Sequence, residues 1–502
     1  MRAVLAQQNI SLTNFLNQVA EGLGYLLPEI TLVATLILLL LFDLIFKKNK
    51  AFGFTAIASI GFALAGILAL LQWSSETVSL FGGMLSLTNF SLLLKVAFSF
   101  GGLVTLLIAW RGKNEIKAEF FKSGETLIML AALLLGAFFM TMTMNLLLVY
   151  VSIELVSIAS YILTGLTGDR KRSEAGIKYL IFGAASSAIM LYGMSWLYGF
   201  TGTLQLDSDS FYAGLTAVPM LPLIIAMVLT LAGFLFKLGA FPLHIWSPDV
   251  YEASPTPTVA MFSAIPKLAA LTIVFRLVQL TPDTLDWVPI LTIVAIASMT
   301  VGNFSALWQK DAKRMLAYSS IAHAGFLLVG IITHSETGNE AMLFYGLVYL
   351  IMNFAAFFLI NQFESITGST KIDSLKGLGR SMPFAGVLMV LVMVSLTGLP
   401  PTAGFNAKLY IFSALWEAFG QQENSWLLWL FIFGLFNTVV SLFYYLKIPY
   451  MLFFKELQSN EIQTKGRSAD YIIGTLLVLP LLLLFFRSDW FVDLMNTINF
   501  VF

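Results

Sequence analysis

The sequence contains no cysteine, and only 11% of its 502 residues are charged. Without cysteine the chain can hold neither a disulfide nor a cysteine-ligated iron–sulfur cluster, and thiol catalysis is excluded. Soluble domains carry about 25% charged residues, so a chain that is 58% hydrophobic, with a mean hydropathy of +0.85, cannot cover a water-facing surface. Its 28 basic and 28 acidic residues balance, which argues against nucleic acid as a partner. The composition therefore predicts a protein whose main solvent is the lipid bilayer.

Apolar runs of about 20 residues, long enough to cross a bilayer as an α-helix, recur along the chain. We place fourteen of them, at 23–46, 51–72, 90–110, 124–141, 143–166, 174–199, 217–240, 256–280, 286–307, 313–333, 341–363, 383–419, 426–452 and 470–487. The run at 383–419 is too long for one ordinary span, and Gly398, Pro400 and Pro401 interrupt it, so we interpret it as one broken helix. The sequence thus predicts an all-α polytopic membrane protein with about 14 transmembrane helices.

Basic residues fall in alternate loops between the predicted spans. They are Lys47, Lys48, Lys50, Arg111, Lys113, Lys117, Lys122, Arg170, Lys171, Arg172, Lys310, Lys313, Arg314, Lys371, Lys376, Arg380, Lys455, Lys465 and Arg467. The intervening loops carry acids instead, namely Asp207, Asp209, Asp283, Glu336 and Glu423. Under the positive-inside rule the basic loops are cytoplasmic. We therefore expect a multi-pass membrane protein with both termini on the outer side, which is the periplasmic side if the membrane is a bacterial inner membrane.

Two parts of the chain share short motifs at an offset of about 170 residues. The three pairs of motifs are Tyr150-Val151-Ser152-Ile153 with Tyr318-Ser319-Ser320-Ile321, Glu174-Ala175 and Tyr179 with Glu340-Ala341 and Tyr345, and the segment 233–238 with 404–409. Because the offset covers five helices, an odd number, the second copy must be inverted across the membrane, as in many ion-coupled transporters. We predict inverted repeats of helices 4–8 and 9–13, in which Lys408 corresponds to Lys237 and Ala322 to Glu154. The resulting divisions are 1–122 for helices 1–3, 123–281 and 282–455 for the repeats, and 456–502 for helix 14.

The last of these motifs, G-F-x-x-K-L, lies beside helix breakers in both copies. They are Gly239 and Pro242 in the first copy, and Pro400, Pro401 and Gly404 in the second. Proline removes a backbone donor and clashes with the preceding turn, and broken backbone at membrane depth persists only where it lines protein or water. We therefore predict that helices 7 and 12 are broken and that an ion site lies beside the breaks.

Several ionisable residues lie within the predicted spans, although a charge there costs at least about 2.5–3.5 kcal/mol. They are Glu154, Lys178, Lys237, Lys267 and Lys408. Because the lysines outnumber the acid, at least one must be neutral or hydrated, and burial favours the neutral form. A lysine that is poised between the two forms can carry a proton. Structural pairing of Glu154 with a lysine, without any transport, is the alternative.

Other polar residues in the spans allow weaker predictions. His323 fits a proton relay and a hydrogen-bonded core histidine equally well, and haem ligation by the three histidines is a weaker idea. The amphipathic segment 244–252 is expected to close the cytoplasmic mouth or to bind a partner. Four further charged residues lie toward helix ends and should extend their charged groups to the interface, namely Lys95, Arg276, Glu417 and Lys447. Replacement of Lys95 by alanine is therefore expected to matter little.

Three stretches closely resemble the N subunit of bacterial complex I, the NADH–quinone oxidoreductase. They are F-K-L-G-A-F-P-L-H-I-W-S-P-D-V-Y-E-A-S-P-T-P at 236–257, Y-S-S-I-A-H-A-G at 318–325 and G-L-P-P-T-A-G-F-N-A-K at 398–408. The similarity extends over most of the chain. The sister M and L subunits share the antiporter-like fold. M subunits, however, typically have a glutamate where Lys408 lies, and the long lateral helix of the L subunit is absent here.

This resemblance implies that Glu154 pairs with Lys237, that Lys267 is the central lysine and that Lys408 lies on the exit side. Proton movement through these residues would be driven by quinone reduction elsewhere in the complex. The chain would then be a subunit of a proton-translocating oxidoreductase with no redox centre of its own. NADH, FMN, iron–sulfur clusters and quinone would be bound by partner subunits, and subunits of the K and M types would be its neighbours.

Two other functions stay open on the sequence. One is a cation/proton antiporter of the related multisubunit type, and the other is an unrelated transporter of a small solute. A solute transporter should offer a roomy polar pocket, and a sodium site should cluster carboxylates and carbonyls. The sequence instead places single titratable residues in a row, which favours proton transfer.

Overall fold

A computed structural model describes residues 20–46, 50–74, 76–122, 124–166, 169–282, 285–456, 468–498 and 500. Its helices are α1 (Leu27–Ile45), α2 (Ala51–Leu71), α3 (Asn89–Arg111), α4 (Asn114–Lys122), α5 (Glu125–Met142), α6 (Leu146–Gly165), α7 (Arg170–Thr201), α8 (Asp209–Thr216), α9 (Met220–Leu238), α10 (Trp246–Ala253), α11 (Thr256–Leu280), α12 (Trp287–Leu307), α13 (Ala312–Ile332), α14 (Glu336–Thr367), α15 (Leu378–Ser381), α16 (Pro383–Thr397), α17 (Ala403–Gln422), α18 (Ser425–Tyr445), α19 (Lys447–Phe454), α20 (Ser468–Phe486) and α21 (Asp489–Met495). A 3-10 turn at Ile372–Leu375 and an antiparallel pair of short strands, β1 (Val78–Leu80) and β2 (Leu85–Leu87), complete the described structure.

The predicted all-α membrane architecture is confirmed. Thirteen helical segments in the described ranges are long and apolar enough to cross a membrane. The pair α16–α17 adds a fourteenth, divided span where one broken helix was predicted. Helices suit this environment because each satisfies its own backbone donors and acceptors without water. The central helices α11 and α13 are almost wholly buried, whereas α1 and α20 lie at the edge with most of their surface exposed.

Both predicted helix breaks are present. Helix α9 ends at Gly239 (φ 66°) and α16 ends at Gly398 (φ 85°), and both glycines are in the left-handed conformation that side chains disfavour. Lys237 lies in the last turn before the first break. Lys408, in contrast, lies in the second turn of α17, after the second break. The two lysines therefore do not occupy equivalent positions, and the equivalence that the G-F-x-x-K-L motif suggested is wrong.

The same backbone arrangement nevertheless occurs twice, with a constant offset of 166 residues. The hydrogen bonds Leu146 N to Leu204 O and Leu206 N to Met144 O in the first unit match Ala312 N to Thr370 O and Ile372 N to Lys310 O in the second. The side chains of Asn145 and Asp311 cap the helices that follow these bridges. Helices α7 and α14, each of 32 residues, both end at a left-handed glycine. This offset aligns Glu154 with Ser320, so the predicted alignment with Ala322 is wrong. The inverted orientation of the two units stays a prediction.

Several of the basic loops meet at one end of the molecule. Lys171 and Arg314 both contact Glu252, at 2.7 and 2.9 Å, and Lys447 donates to the carbonyl of Gln309 at 2.6 Å. These contacts agree with a common side for the loops, and the assignment of that side to the cytoplasm stays a prediction. Some of the residues used for it lie outside the described residues, namely Lys47, Lys48, Asp283, Lys465, Arg467 and both chain ends.

Candidate functional site

Lys267 occupies the centre of the bundle on α11 and has no exposed surface. Its Nζ donates to the Ser320 hydroxyl at 2.8 Å and to the Ser320 carbonyl at 3.2 Å. A Cβ added at Gly239 would lie 3.1 Å from the same Nζ, so the break after α9 brings backbone directly against this ammonium group. Pro266, inside α11, removes one backbone donor at this level and leaves a carbonyl free for other partners. The central lysine thus lies among neutral dipoles at a helix break.

Lys237 is also buried, with 1% of its surface exposed. Its Nζ donates to the Tyr179 hydroxyl at 3.4 Å and lies 5.4 and 5.5 Å from the ring centroids of Tyr179 and Tyr161. Aromatic rings attract a cation through their faces without binding its proton. Trp246 of α10 stacks on Tyr179 at 4.2 Å and donates to the carbonyl of Phe236 at 2.9 Å. The short helix α10 therefore packs over the residues that surround Lys237.

Glu154 lies half-buried on α6 and is close enough to act electrostatically on Lys237. No ion pair joins the two side chains in the described structure, and Glu154 Oε1 is buried there without a hydrogen-bond partner. The hydroxyl of Tyr161, on the same face of α6, is buried without a partner as well. Buried polar atoms of this kind are usually satisfied by internal water. The pairing of Glu154 and Lys237 that the resemblance implies would need such water or a side-chain movement.

His323 on α13 has partners on both ring nitrogens. Nδ1 lies 2.7 Å from the Tyr345 hydroxyl, and Nε2 lies 3.0 Å from the Tyr445 hydroxyl, which also bonds the Ser319 hydroxyl. Neutral imidazole donates from one nitrogen and accepts at the other, so the ring can join two hydroxyl groups into one chain. Both predicted interpretations, relay and hydrogen-bonded core histidine, fit this geometry.

Lys408, 5% exposed, donates to the carbonyl of Thr397 at 2.7 Å. Thr397 is the last residue of α16, so this carbonyl belongs to the broken end of the helix. The ammonium group lies 4.8 Å from the ring centroid of Phe326, which in turn lies 6.3 Å from that of His323. An apolar groove of about 650 Å³ between α17 and α18 reaches Lys408 from the outside.

Lys178 was expected among the buried charges, but it lies at the surface. Its side chain is 44% exposed and forms ion pairs with Glu174 at 2.8 Å and Asp249 at 3.2 Å. Asp249, on α10, also binds Arg314 at 2.7 Å. Burial by itself raises the pKa of Asp249, but hydrogen bonds from Arg314 and Lys178 outweigh it and lower the pKa overall. Lys178 therefore belongs to an ionic cluster that holds α10 in place and surrounds a cavity of about 210 Å³.

The sequence analysis missed the groups that connect the lysines. Tyr179 served only as a marker of the repeat, and Tyr251, whose hydroxyl lies 3.4 Å from that of Ser320, received no role. Nothing in the local sequence separates these tyrosines from packing aromatics. The ionic partners of Asp249 could have been suspected, because the segment 244–252 was already expected to close a mouth.

Two residues that were expected to reach the membrane interface are buried instead. Lys95 has no exposed surface and lies 2.7 Å from Oε1 of Glu29, a carboxylate that the sequence analysis did not single out. Arg276 is fully buried and donates to the carbonyls of Thr141 and Thr143. Chain segments distant in sequence cover these helix ends, as the bond from Asn89 to Thr497 O at the start of α3 illustrates. Glu417 is exposed and Lys447 is partly exposed, as expected.

Comparison with known proteins assigns the family. The sequence profile described as "NADH:quinone oxidoreductase/Mrp antiporter, TM" matches residues 143–441. NADH-quinone oxidoreductase subunit N of Chlorobium chlorochromatii is 37% identical over 475 residues, which cover 92% of this chain and 91% of the relative. NAD(P)H-quinone oxidoreductase subunit 2 of Synechocystis is 38% identical over 453 residues, covering 89% and 85%.

Solved structures agree with the sequence relatives. A chain of respiratory complex I from Thermus thermophilus superposes with a TM-score of 0.76 and 27% identity, over 94% of this chain and 100% of that one. A chain of the Mrp complex from Dietzia superposes with a TM-score of 0.80 over 95% and 97%, but at 19% identity this likeness shows the shared fold alone. The chain belongs to the NADH-quinone oxidoreductase subunit N family, within the antiporter-like membrane subunits.

Proposed function

We propose that this chain is the proton-translocating N-type subunit of the membrane arm of a bacterial NADH–quinone oxidoreductase. The observation that carries the proposal is the row of buried lysines, Lys237, Lys267 and Lys408, in a membrane-spanning bundle of this family. Each ammonium group contacts hydroxyls, carbonyls or aromatic faces and no carboxylate within 4 Å in the described structure. A lysine in such surroundings gains little from its charge, so it can release its proton at low cost.

Protons would be taken up at the ionic cluster on α10. Lys178 and Asp249 lie at that surface, and Tyr179 lies directly beside Lys178 in the chain with its hydroxyl on Lys237. Trp246 and the cluster together separate the solvent from Lys237. Opening of α10 would break both sets of contacts at once, which supports a role for the segment 244–252 as the closure of the cytoplasmic mouth.

From Lys237 the proton would pass along the central helices. Gly239 lies two residues from Lys237 and beside Lys267, and Lys267 in turn binds Ser320. Ser319, Tyr445 and His323 continue the hydroxyl chain toward Lys408. Like charges disfavour each other in a poorly polarisable interior. Arrival of a proton at one lysine therefore favours its loss from the next.

Glu154 would bias Lys237 toward the charged form, since a nearby negative charge stabilises an ammonium group. A change in the position of the carboxylate, driven by quinone reduction elsewhere in the complex, would alter that bias.

The units 123–281 and 282–455 would be inverted repeats, and both termini would be periplasmic. Partner subunits would bind NADH, FMN, iron–sulfur clusters and quinone, with subunits of the K and M types as neighbours.

Purification of the protein from its native membrane tests this function. Affinity capture in mild detergent, followed by mass spectrometry, should recover subunits that carry NADH and quinone sites, together with NADH–quinone activity. Recovery of the chain with antiporter subunits alone, or as an independent pump, would contradict the proposal. A control capture through an unrelated membrane protein of the same cells removes non-specific partners.

A further inference from the structure

A second buried charge pair lies outside the row of lysines. Glu29, in the first turn of α1, and Lys95, in the second turn of α3, approach to 2.7 Å between Oε1 and Nζ. Their side chains are 2% and 0% exposed. Both helices precede the two repeated units, so the pair belongs to a part of the chain that the proposed proton route does not use.

The pair is incompletely satisfied by protein groups. Oε1 of Glu29 faces the ammonium group of Lys95, but Oε2 has no partner among the described residues. Ser99, one turn after Lys95 on α3, has a buried hydroxyl without a partner as well. Nζ otherwise donates to the sulfur of Met142 at 3.3 Å. Orphan polar atoms around a buried carboxylate are normally satisfied by internal water.

Stability does not explain the pair. Removing two charges from water costs more than their attraction usually returns, and apolar side chains of similar size would pack at least as well. The pair also borders the central helices. Met142 is the last residue of α5. The carbonyls of its neighbours Thr141 and Thr143 accept hydrogen bonds from the guanidinium group of Arg276. Arg276 lies on α11, the helix that carries Lys267. A buried carboxylate at this position is therefore connected to the helix with the central lysine.

We propose that Glu29 is a further proton-binding residue, which takes up and releases a proton beside Lys95 through internal water on the predicted periplasmic side. This proposal rests on the proposed function of the chain as a proton-translocating subunit. In the resting state Glu29 is a carboxylate and Lys95 an ammonium group. When a protonated internal water gives its proton to Glu29, one O–H bond of that water breaks, one O–H bond forms on Glu29, and Lys95 is left without a counter-charge. Because that state is unfavourable, the proton is held briefly and its release restores the ion pair.

The test uses the assembled complex reconstituted into proteoliposomes. Glu29→Gln keeps the shape of the side chain but removes the proton site, whereas the double variant Glu29→Leu/Lys95→Met removes both charges and leaves no buried ion. The control is Arg111→Gln/Asp470→Asn, which removes another ion pair that joins α3 to a different helix. Three quantities are measured: the amount of assembled complex, the ratio of protons pumped to electrons transferred, and the carboxyl signal in infrared difference spectra of turnover.

In the double variant, which leaves no buried ion, the complex should assemble and reduce quinone while the proton-to-electron ratio falls at least about twofold. In Glu29→Gln, which leaves the buried Lys95 charge unpaired, less complex should assemble, and the complex that does assemble should show the same fall. The infrared band of a transiently protonated carboxyl group should be lost in Glu29→Gln and kept in the control. A double variant that pumps like the wild type overturns the proposal, and so does one that fails to assemble while the control assembles, since the pair is then structural. Normal pumping in both Lys237→Ala and Glu154→Ala would instead overturn the proposed proton route, and capture of the chain without NADH–quinone subunits would overturn the proposed function itself.

Discussion

Lysine is buried in two different ways in this chain. In the N-terminal helices, Lys95 lies against the carboxylate of Glu29 and is balanced by a full opposite charge. In the central helices, Lys237, Lys267 and Lys408 contact hydroxyls, carbonyls and aromatic rings. A full counter-charge holds a lysine in its charged form, whereas neutral dipoles leave the charged and neutral forms closer in free energy. The comparison therefore separates a lysine that is paired with a carboxylate from lysines that contact neutral groups in the described structure.

The largest expected effect comes from removing one of the two charges of the Glu29–Lys95 pair. Lys95→Ala should destabilise the protein by about 3–5 kcal/mol, because it leaves the buried carboxylate of Glu29 without a counter-charge. Thermal unfolding of the purified complex, or its yield from membranes, measures the loss. Lys447→Ala is the matched control, since this lysine is partly exposed and binds one carbonyl. Equal stability of the two variants would mean that the buried pair contributes nothing.

Removal of a central lysine should affect transport more than stability. Lys237→Ala or Glu154→Ala should reduce coupled proton pumping on the order of tenfold, about 1.4 kcal/mol in the barrier, with the complex still assembled. Lys237→Arg keeps a charge but loses the ability to release a proton, so it should fail like Lys237→Ala. Pumping that survives both alanine changes would show that the route is wrong.

The neutral partners of a central lysine can be tested one at a time. Ser320→Ala removes the hydroxyl that accepts from Lys267, which should cost about 1–3 kcal/mol of local stabilisation and slow pumping. Ser263→Ala is the control, because among the described residues the Ser263 hydroxyl bonds only a carbonyl of its own helix. If the two serine variants pump equally well, the hydroxyl of Ser320 is not part of the route.

The smallest expected effect lies at the surface cluster. Asp249→Asn weakens the contacts of α10 with Lys178 and Arg314. It should lower the unfolding temperature by a few degrees or less, since both ion pairs of Asp249 are partly exposed. Because its ion pairs lower the pKa of Asp249, their stabilisation is complete above the ordinary pKa of an aspartate and is lost as the pH falls through the lowered value. Unfolding scans should therefore show the wild type and the variant converging in acid. A difference that persists in acid would contradict this assignment.

The two repeated units show how one backbone plan carries different chemistry. With the offset of 166 residues, Tyr179 corresponds to Tyr345, and both tyrosines bind the titratable group of their unit, Lys237 or His323. Glu154, however, corresponds to Ser320, a hydroxyl in place of a carboxylate. The first unit thus contains a carboxylate where the second has a neutral hydroxyl. The shared motifs revealed the repeat, but they aligned Lys237 with Lys408 wrongly. Lys237 lies just before its helix break, whereas Lys408 lies well after the other break.

The sequence by itself determined the membrane spans, the two broken helices and the presence of lysines within the spans. These follow from local properties, since hydropathy over about 20 residues and the backbone limits of proline and glycine act within one segment. Only the tertiary structure decided which charges are buried. Lys95 and Arg276 lie near helix ends yet are covered by segments distant in sequence, whereas Lys178 lies at the surface within the ionic cluster around α10. Burial depends on what packs against a helix, and a single segment does not contain that information.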